Sequence, residues 1–493
     1  MIRRMLLGDL AHRGAALWPD RTAFAWDGRR RTYRELHRRA RCWAGLLAGG
    51  GVGPGGRVAL LTVNAPEAVE AAFGASLIGA AVVPLNVRLS PAEIRYQVED
   101  AGARHAVVHP ALETLAAASG LLDLDHWTIG PALDRALDEA PPHDLPRPGP
   151  DAPVVQLYTS GTTGHPKGCL LTSRGWVAAA ANAVQAFGLT GADRLLGALP
   201  LFHVAGYGAV LGQLAAGGTV VLPSGASPEV LWPLIAEHGV TVAVFPTGTG
   251  RALRHPAAAP GTLRLVFGMA ATERPATLER LRGLGIGYRG VYGSTEAGNF
   301  VAVSTLEDEL AAPGAVGRPL PAFDLALDGA DGPGEVGELL LRGASLMAGY
   351  AGDPGVPPDG WLRTGDLMRL DADGRLHFID RAKDMVKSGG ENVYCAEVER
   401  VLAEHPGVRD AAVIGVPDRR WGEAVKAVVV VRGGTTPAEL DAHCRARLGA
   451  FKRPRWYELV AAIPRNHSGK VPKRELRAAH DPGASVRLPE SGG

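Results

Sequence analysis

The first 110 residues alternate between short apolar runs and stretches with helical spacing. Apolar side chains recur three to four residues apart over residues 32–47, which predicts a helix, whereas residues 57–63 form an apolar run of strand length. Residues 91–100 again have helical character, with Ser90 placed to cap the helix, and residues 81–85 have the pattern of a buried strand. Short, continuously apolar strands between helices predict a parallel sheet covered on both faces.

The pattern changes twice further along the chain. A Pro- and Asp-rich stretch at residues 139–153 has no apolar period and is interpreted as a surface linker, after which the strand and helix alternation resumes. From about Gly314, short strand-like segments separated by Gly and Asp turns predict an antiparallel β unit. The last segment, of roughly a hundred residues, has the pattern of a small α+β domain. We therefore expect an α/β fold with parallel-sheet αβα subdomains and a β unit, followed by an α+β domain.

Composition and charge narrow the classes of protein. The chain has 493 residues and a formal net charge of +1, so nothing in the overall charge indicates binding to nucleic acid or to an anionic membrane. No apolar run reaches the roughly 18 residues of a membrane span, and the N-terminal apolar run is too short for a signal peptide. Widely spaced cysteines without a CxxC pair predict reduced thiols in a cytoplasmic protein, namely Cys42, Cys169, Cys395 and Cys444.

One segment of the sequence gives the clearest indication of a binding function. Residues 158–168 read YTSGTTGHPKG and follow the apolar run at residues 154–157. Two glycines allow tight turns that expose backbone N–H groups, hydroxyl side chains add donors and Lys167 adds a positive charge, which together suit a polyphosphate. The spacing from Gly164 to Lys167 is not that of a Walker loop. Composition alone would leave an ordinary loop as the simpler interpretation, but the density of donors, the lysine and the preceding strand favour phosphate binding.

This segment closely resembles the phosphate-binding loop of the AMP-forming acyl-CoA synthetase superfamily of adenylate-forming enzymes, which includes luciferases and nonribosomal adenylation domains. Further matches follow in the order of that family, from about residue 7 to about residue 476: LPLFHVAG at 199–206, YGSTE at 292–296, GELLLRG at 337–343, WLRTGD at 361–366, DRAKD at 380–384, SGGENVY at 388–394 and NHSGK at 466–470. So many motifs in one order make chance convergence an inadequate explanation.

The resemblance implies a carboxylate that attacks the α-phosphate of ATP and expels pyrophosphate, with Mg²⁺ as the metal. It implies that the β- and γ-phosphates are held by Thr159, Ser160, Gly161, Thr162, Thr163 and Lys167. It further implies Glu296 as a ligand of Mg²⁺, Thr295 at the α-phosphate, Gly268, Ala270 and Tyr292 at the adenine, and Asp366 with Arg381 at the ribose. Lys470 is implied to bridge the carboxylate and the α-phosphate during adenylation, although a lysine in such a turn is ordinarily only solvated.

The resemblance also implies a second half-reaction with CoA. The domains expected from it are residues 1–380 for ATP and acid, a hinge region at 381–387 in which the hinge position matches Lys383, and a mobile C-terminal lid at 388–493. Gly389 and Gly390 match the position where the pantetheine arm of CoA passes, because a side chain there would narrow the tunnel. No carrier domain follows Lys470, so CoA is the first choice of acceptor and a separate carrier protein is the alternative.

The acid itself is not identified by these motifs. The pocket residues implied by the resemblance are Phe202, His203, Tyr207, Gly208, Phe245, Thr247, Gly268, Met269 and Gly293. His203 is a candidate catalytic residue, but a role in shaping the pocket is favoured over proton transfer. Residues 244–250 and 268–272 depart from the usual family pattern, so a small aromatic or medium-length carboxylic acid is an open expectation.

Two other hypotheses remain at this point. The first keeps adenylation and changes the acceptor to a carrier protein or an unusual nucleophile, including nitrite-type chemistry that gives diazo products. The second is a non-catalytic nucleotide-binding protein, which the presence of Lys167, Glu296 and Lys470 disfavours. A monomer and a homodimer are both compatible with the sequence.

Overall fold

The computed structural model describes residues 6–142, 148–159, 166–353, 355, 360–388, 391–466 and 469–487. The chain forms two compact units. The first comprises Met1–Leu325, Leu341–Leu362 and Asp373–Leu376, and the second comprises Ala326–Leu340, Arg363–Ala372 and His377–Gly493. The domain boundaries expected at residues 380 and 388 stay a prediction.

The helices are α1 (Asp9–Leu17), α2 (Tyr33–Gly49), α3 (Pro66–Ile78), α4 (Pro91–Ala101), α5 (Glu113–Ala118), α6 (Pro131–Glu139), α7 (Ser173–Phe187), α8 (Val204–Ala215), α9 (Pro228–His238), α10 (Thr249–Arg254), α11 (Pro275–Gly283), α12 (Leu306–Ala311), α13 (Cys395–Ala403), α14 (Pro437–Arg445) and α15 (Lys473–Ala478). Short 3₁₀ turns lie at Pro110–Leu112, Leu121–Asp123 and Pro482–Ala484.

The strands are β1 (Thr22–Trp26), β2 (Arg29–Thr32), β3 (Arg57–Leu61), β4 (Ala81–Pro84), β5 (His105–Val108), β6 (Asp125–Thr128), β7 (Pro153–Thr159), β8 (Lys167–Thr172), β9 (Arg194–Leu196), β10 (Thr219–Val221), β11 (Val242–Ala243), β12 (Leu265–Met269), β13 (Gly287–Ser294), β14 (Asn299–Thr305), β15 (Ala315–Pro319), β16 (Phe323–Asp328), β17 (Val336–Gly343), β18 (Gly349–Tyr350), β19 (Leu362–Leu370), β20 (Leu376–Arg381), β21 (Val386–Ser388), β22 (Glu391–Val393), β23 (Val408–Asp418), β24 (Gly422–Val431), β25 (Trp456–Leu459) and β26 (Val486–Arg487).

Two sheets build the first unit, and both are parallel at their centres. One has the order β18-β8-β7-β4-β3-β5-β6, with parallel pairing from β7 through β6. The other runs β15-β14-β13-β12-β11-β9-β10-β1-β2, with parallel pairing from β13 through β1. Antiparallel strands close their edges, as β8 does beside β7 and β14 does beside β13. The predicted αβα parallel-sheet architecture is confirmed.

The second unit contains a β segment and a small α+β body. The strands β16, β17, β19 and β20 are neighbours in that order. In the body, β23 pairs antiparallel with β24 from Val408↔Val431 to Asp418↔Gly422, and β24 pairs parallel with β25. Helices α13 and α14 bury Val398, Leu402 and Leu440 in one core with the sheet. The predicted C-terminal α+β fold is confirmed.

Local sequence signals explain several helix starts. Ser90 accepts a hydrogen bond from the backbone N–H of Glu93, whose carboxylate bonds back to Ser90 in a capping box. Thr32 and Glu35 make the same reciprocal pair at the start of α2. Each cap satisfies N–H groups that the first helical turn leaves without partners. In the part of the chain that is described, no helix is both long and apolar enough to cross a bilayer.

A group of charged side chains is buried between α2 and α3. The Glu70 carboxylate, which has no exposed side-chain surface, pairs with the Arg31 Nε at 3.0 Å and the Arg39 Nε at 2.6 Å. Glu67, one turn earlier, is 8% exposed. Burial, reinforced by the nearby Glu70 carboxylate, raises the pKa of Glu67 from 4.5 to about 7.

We expect Glu67→Gln to stabilise the protein at pH 8.5 and to leave its stability nearly unchanged at pH 5. The pKa of Glu67 is raised on folding, so its favourable contribution is present below pH 4.5 and is lost as the pH rises through about 7. Removing the charge should recover up to about 3 kcal/mol at the higher pH. Melting temperatures at the two pH values measure the difference, with the exposed Glu99→Gln as the control. Equal shifts at both pH values would contradict the assignment.

Candidate active site

The segment predicted to bind phosphate connects two antiparallel strands. Ser160, Gly161, Thr162 and Thr163 lie outside the described residues, but both ends of the segment are described. Thr159 at the end of β7 pairs with Lys167 at the start of β8. A Cβ on Gly168 would lie 2.4 Å from Nε2 of Gln156, so a larger residue there would displace the neighbouring amide. The strand pairing therefore brings the hydroxyl-bearing Thr159 and the charged Lys167 to the same end of the sheet.

Tyr350 gathers three of the predicted residues around one ring. Strand β18 pairs with β8, placing Tyr350 opposite Cys169. The Lys167 Nζ lies 5.1 Å from the centre of the Tyr350 ring, and the Tyr350 hydroxyl donates to Oε1 of Glu296 at 2.9 Å. Thr159 also hydrogen-bonds this tyrosine. Burial and the Glu296 carboxylate raise the pKa of Tyr350, so the hydroxyl stays protonated and remains a donor.

Tyr350 was not predicted from the sequence. Its signal is the pair Gly349-Tyr350, a short distance after the match at residues 337–343. Gly349 has a φ of +142°, and a Cβ there would lie 2.4 Å from the Cα of Gly355, so only glycine fits before the tyrosine. The pair forms a strand too short to be found by hydrophobic alternation.

Backbone hydrogen bonds hold the turn that carries Thr295 and Glu296. The N–H of Met347 donates to the carbonyl oxygen of Glu296 at 2.9 Å, and the N–H of Gly298 donates to that of Thr295 at 3.0 Å. A Cβ on Gly298 would lie 1.9 Å from the carbonyl oxygen of Ser345, so the turn packs against backbone. The Glu296 carboxylate is thereby presented beside Tyr350, where it suits a hard cation such as Mg²⁺.

The described residues contain no cluster of three or more acidic, His or Cys side chains arranged for a metal ion. Glu296 is the one carboxylate that the sequence predicts as a metal ligand. Mg²⁺ in nucleotide sites keeps several waters and is held by one or two carboxylates together with phosphates. The residues present fit a metal that arrives with a polyphosphate.

The loop predicted to contact the adenine has an unusual backbone. Ala271, which is not a glycine, has a φ of +58° in the left-handed region. Its N–H donates to both carboxylate oxygens of Glu309, at 3.1 and 3.2 Å, and Ser304 donates to the same carboxylate at 2.5 Å. The N–H of Ala270 donates to the carbonyl oxygen of Val291 at 3.0 Å. Glu309, which the sequence did not suggest, holds this loop, and burial raises the pKa of its carboxyl group.

The predicted acyl-pocket residues fall into two groups. Phe202 and His203 are half-buried with their ring centres 4.7 Å apart, and Met269 is 67% exposed. Tyr207 and Phe245 are buried, the first donating its hydroxyl to the carbonyl oxygen of Ala68 at 3.1 Å. Of the remaining candidates, Thr247 and Gly293 are exposed, Gly268 is half-buried and Gly208 is buried.

Asn64 organises the loop before His203 and was also missed. Its Nδ2 donates to the carbonyl oxygens of Gly197 at 2.9 Å and Leu199 at 2.8 Å, and its Oδ1 accepts from the N–H of Leu201 at 3.0 Å. Those bonds connect the start of α3 to the LPLFH segment. The sequence signal was an Asn two residues before the Pro that begins α3.

The second unit contains the other predicted residues. Asp366 is buried, and its Oδ1 pairs with the Arg381 Nε at 2.6 Å. Lys470 is exposed, and its backbone forms a reciprocal pair with Asn466: the Lys470 N–H donates to Asn466 Oδ1 at 2.9 Å and the Asn466 N–H donates to the Lys470 carbonyl oxygen at 2.8 Å. This turn fixes the backbone from which the Lys470 side chain extends. Gly389 and Gly390 lie outside the described residues.

Comparison with known proteins agrees with this arrangement. Residues 11–351 match the family model described as AMP-binding enzyme, and residues 397–470 match the model described as AMP-binding enzyme C-terminal domain. The chain is 39% identical over 495 residues to a feruloyl-CoA synthase from Amycolatopsis sp., covering 97% of this chain and 99% of the relative. It is 35% identical to a fatty acid–[acyl-carrier-protein] ligase from Streptomyces coeruleorubidus, covering 93% of each.

Solved structures of CoA synthetases are also similar to this chain. An o-succinylbenzoate CoA synthetase from Bacillus subtilis in complex with its acyl-adenylate intermediate superposes with a TM-score of 0.85 at 30% identity, covering 96% of this chain and 98% of that one. A second structure of that enzyme, in complex with ATP and a magnesium ion, gives a TM-score of 0.84 at 31% identity, covering 95% and 98%.

We expect Tyr350→Phe to raise the Mg²⁺ concentration needed for half-maximal pyrophosphate release roughly tenfold, because one hydrogen bond to a carboxylate is lost. The ring beside Lys167 is retained in this variant. Tyr350→Leu removes the ring as well, so it should also raise the KM for ATP. Steady-state kinetics with varied Mg²⁺ and ATP separate the two effects. An unchanged Mg²⁺ dependence in Tyr350→Phe would show that the hydroxyl does not orient Glu296.

Proposed function

The chain belongs to the AMP-binding enzyme family, and we propose that it activates an aromatic carboxylic acid with ATP and transfers the acyl group to CoA. The predicted membership of the adenylate-forming superfamily is confirmed, and so are the AMP-forming acid–thiol ligase class and the use of ATP, Mg²⁺ and CoA. The aromatic nature of the acid and the individual roles of the site residues are our proposal.

The grouping of Thr159, Lys167, Tyr350 and Glu296 carries the proposal. It places a cation, a hydroxyl and a carboxylate around one ring, at the ends of the two strands that the predicted phosphate-binding segment connects. A phosphate chain requires the first two, and the Mg²⁺ bound to it requires the third. Mg²⁺ supplies charge neutralisation on the leaving pyrophosphate.

Activation requires an oxygen of the substrate carboxylate to bond to the α-phosphorus while the bond to pyrophosphate breaks. Two anions must therefore approach each other, and cations and oriented donors lower that barrier. We assign Thr295 to the α-phosphate and Lys470 to the charge shared by the carboxylate and the α-phosphate. In the second step the sulfur of CoA bonds to the acyl carbon, the bond from that carbon to the phosphate oxygen of AMP breaks, and the thiol proton passes to solvent.

The remaining nucleotide contacts follow the same proposal. Asp366 would accept hydrogen bonds from the ribose hydroxyls, and its ion pair with Arg381 orients the carboxylate. Gly268, Ala270 and Tyr292 would line the adenine, in a loop whose shape Glu309 maintains through Ala271.

An aromatic acid is favoured by the relatives and by the accessible side chains. The names of two similar enzymes are those of a feruloyl-CoA synthase and an o-succinylbenzoate CoA synthetase. In this chain Phe202, His203 and Met269 offer flat or polarisable surface at the predicted acyl pocket. The ring contact with Phe202 supports His203 as a residue that shapes the pocket.

The second candidate for the acyl acceptor and the cellular compartment of the protein are each proposed from a single observation. The similarity to a fatty acid–[acyl-carrier-protein] ligase favours a carrier protein as the second candidate acceptor. Cys42, Cys169, Cys395 and Cys444 are free and buried, which supports a reducing compartment and hence the cytoplasm. Whether the protein is a monomer or a homodimer stays a prediction.

An acid panel tests the proposed function directly. Pyrophosphate release is measured for benzoate, cinnamate, phenylacetate, hexanoate, octanoate and nitrite, with and without CoA, and products are identified by mass. We expect the highest kcat/KM with an aromatic acid, acyl-CoA and AMP as products, and no release by Lys470→Ala. A preference for the alkanoates would overturn the aromatic assignment, and activation without an acyl-CoA product would favour the carrier protein. Binding of ATP without release for every acid would contradict catalysis.

The contacts on either side of Lys383 support the proposed hinge. On one side of Lys383, the Ala382 N–H donates to the Gly365 carbonyl oxygen at 2.9 Å. On the other side, the Asp384 carbonyl oxygen accepts from the Cys395 thiol at 3.0 Å, and Arg477 bonds the Asp384 carboxylate at 3.2 Å. Lys383 is exposed and lies between these two anchored neighbours. A rotation about its backbone would keep both sets of bonds and would break only the turn around Lys383, where the Asp384 and Met385 N–H groups donate to the Arg381 carbonyl oxygen at 2.9 and 3.1 Å.

We expect Lys383→Pro to lose most of the thiolation activity while retaining adenylation. Proline fixes φ near −65° and therefore restricts the rotation that the second step needs. Pyrophosphate release measures the first step, and conversion of a preformed acyl-adenylate by CoA measures the second. Lys383→Ala is the matched control and should retain both. Equal losses in the two steps would argue against a hinge at this position.

A further inference from the structure

Asn299, the first residue of β14, has a side chain that the fold leaves unsatisfied. The residue is 2% exposed, yet both Nδ2 and Oδ1 are buried without a hydrogen-bond partner in the described structure. Buried amides are nearly always hydrogen-bonded, because leaving either end without a partner is costly. Since both ends lack partners, exchanging the amide nitrogen and oxygen would not remove the deficit.

The amide lies against two glycines of the predicted acyl pocket. A Cβ on Gly208 of α8 would lie 1.5 Å from Asn299 Nδ2, and a Cβ on Gly293 of β13 would lie 2.0 Å from the Asn299 backbone oxygen. Any other residue at 208 would take the space that the amide occupies. The side chain is therefore directed at the surface of α8 where the acyl group is expected.

The backbone of Asn299 is strained as well. Its φ is +147°, a conformation that side-chain-bearing residues rarely adopt. It faces Ser294 at the end of the β13–β14 pairing, beside a register shift at Tyr292 and Gly293. A glycine would adopt this backbone without strain, so the backbone conformation does not account for the presence of an amide. Strained residues with unsatisfied polar groups concentrate where ligands bind.

We propose that Asn299 is a specificity residue whose amide hydrogen-bonds a polar group, a hydroxyl, amino or carbonyl group, that the acid carries away from its carboxylate. The inference rests on the proposed acid activation and narrows its substrate class to polar-substituted acids. An amide both donates and accepts, so it pairs with each of these groups. A purely hydrocarbon acid of the same shape leaves the amide unsatisfied and is disfavoured.

The expected selectivity is large because it comes from a polar group inside a buried site. A hydrophobic pocket discriminates poorly against an added hydroxyl, whereas a site built to bond that hydroxyl rejects the acid that lacks it. The same logic predicts that deleting the amide acts on the choice of acid and not on ATP, since Asn299 is not among the residues assigned to the nucleotide.

The test compares pairs of acids that differ by one polar group: cinnamate with 4-hydroxycinnamate, benzoate with 4-hydroxybenzoate and with 4-aminobenzoate, and hexanoate with 6-hydroxyhexanoate. Pyrophosphate release gives kcat/KM for each acid with the wild type and with Asn299→Gly, which keeps the backbone and deletes the amide. Asn182→Ala is the control, because Asn182 on α7 also has a buried Nδ2 without a partner but is not placed against Gly208.

We expect the wild type to prefer the polar member of at least one pair by about tenfold or more in kcat/KM. In Asn299→Gly that preference should fall to within about twofold, with an unchanged KM for ATP and a melting temperature that is equal or higher. Asn182→Ala should keep the preference. Wild-type preference for the unsubstituted acids, or a preference that survives in Asn299→Gly, would overturn the role of Asn299 while leaving acid activation intact. Absence of pyrophosphate release with every acid would instead overturn the proposed function and, with it, this inference.

Discussion

The candidate site depends on one tyrosine, Tyr350 on the edge strand β18, which contacts both strand β8 and the turn that carries Glu296. The Tyr350 hydroxyl bonds Glu296, and its ring lies beside Lys167, so a carboxylate and an ammonium group share one aromatic side chain. Without such an intermediary, the two opposite charges would be free to pair with each other and leave neither for a ligand. The hydrogen bond orients the carboxylate, while the ring face attracts the cation without neutralising it. Both charges therefore remain available to phosphate and metal.

In the first unit, strained backbone conformations occur at two positions where ligands are expected. Among the described residues other than glycine, Asp27, Ala271 and Asn299 have positive φ angles. Asp27 precedes Gly28 in the tight turn between β1 and β2, where such angles are ordinary. Ala271 and Asn299 instead border the predicted adenine and acyl positions. The hydrogen bond from Ala271 to Glu309 compensates for the strain at Ala271, whereas the Asn299 side chain has no such compensation and so is the better indicator of a binding position.

The sequence predicts the fold and the nucleotide chemistry because both depend on local patterns. The cap at Ser90 was predicted from its place before a helical stretch, and the buried parallel strands were predicted from their apolar runs. Tyr350, Glu309 and Asn64 could not be found in this way. Each acts on a residue far away in the chain, 54 positions in the case of Tyr350 and Glu296, so only the folded backbone makes the pair.

A difference in how the two substrates are bound explains why the motifs name ATP and not the acid. Phosphates are recognised by charge and by donors that sit within one short segment, such as Lys167 beside its loop. An acyl group is recognised by the shape and polarity of surfaces supplied by several elements. The pocket proposed for this chain uses α8 and the β13–β14 pair, and Asn64 holds the preceding loop. A single substitution at such a surface changes the preferred acid without altering any nucleotide motif. We therefore expect the choice of acid to depend on Asn299, a buried polar group at this surface that the fold leaves without a hydrogen-bond partner.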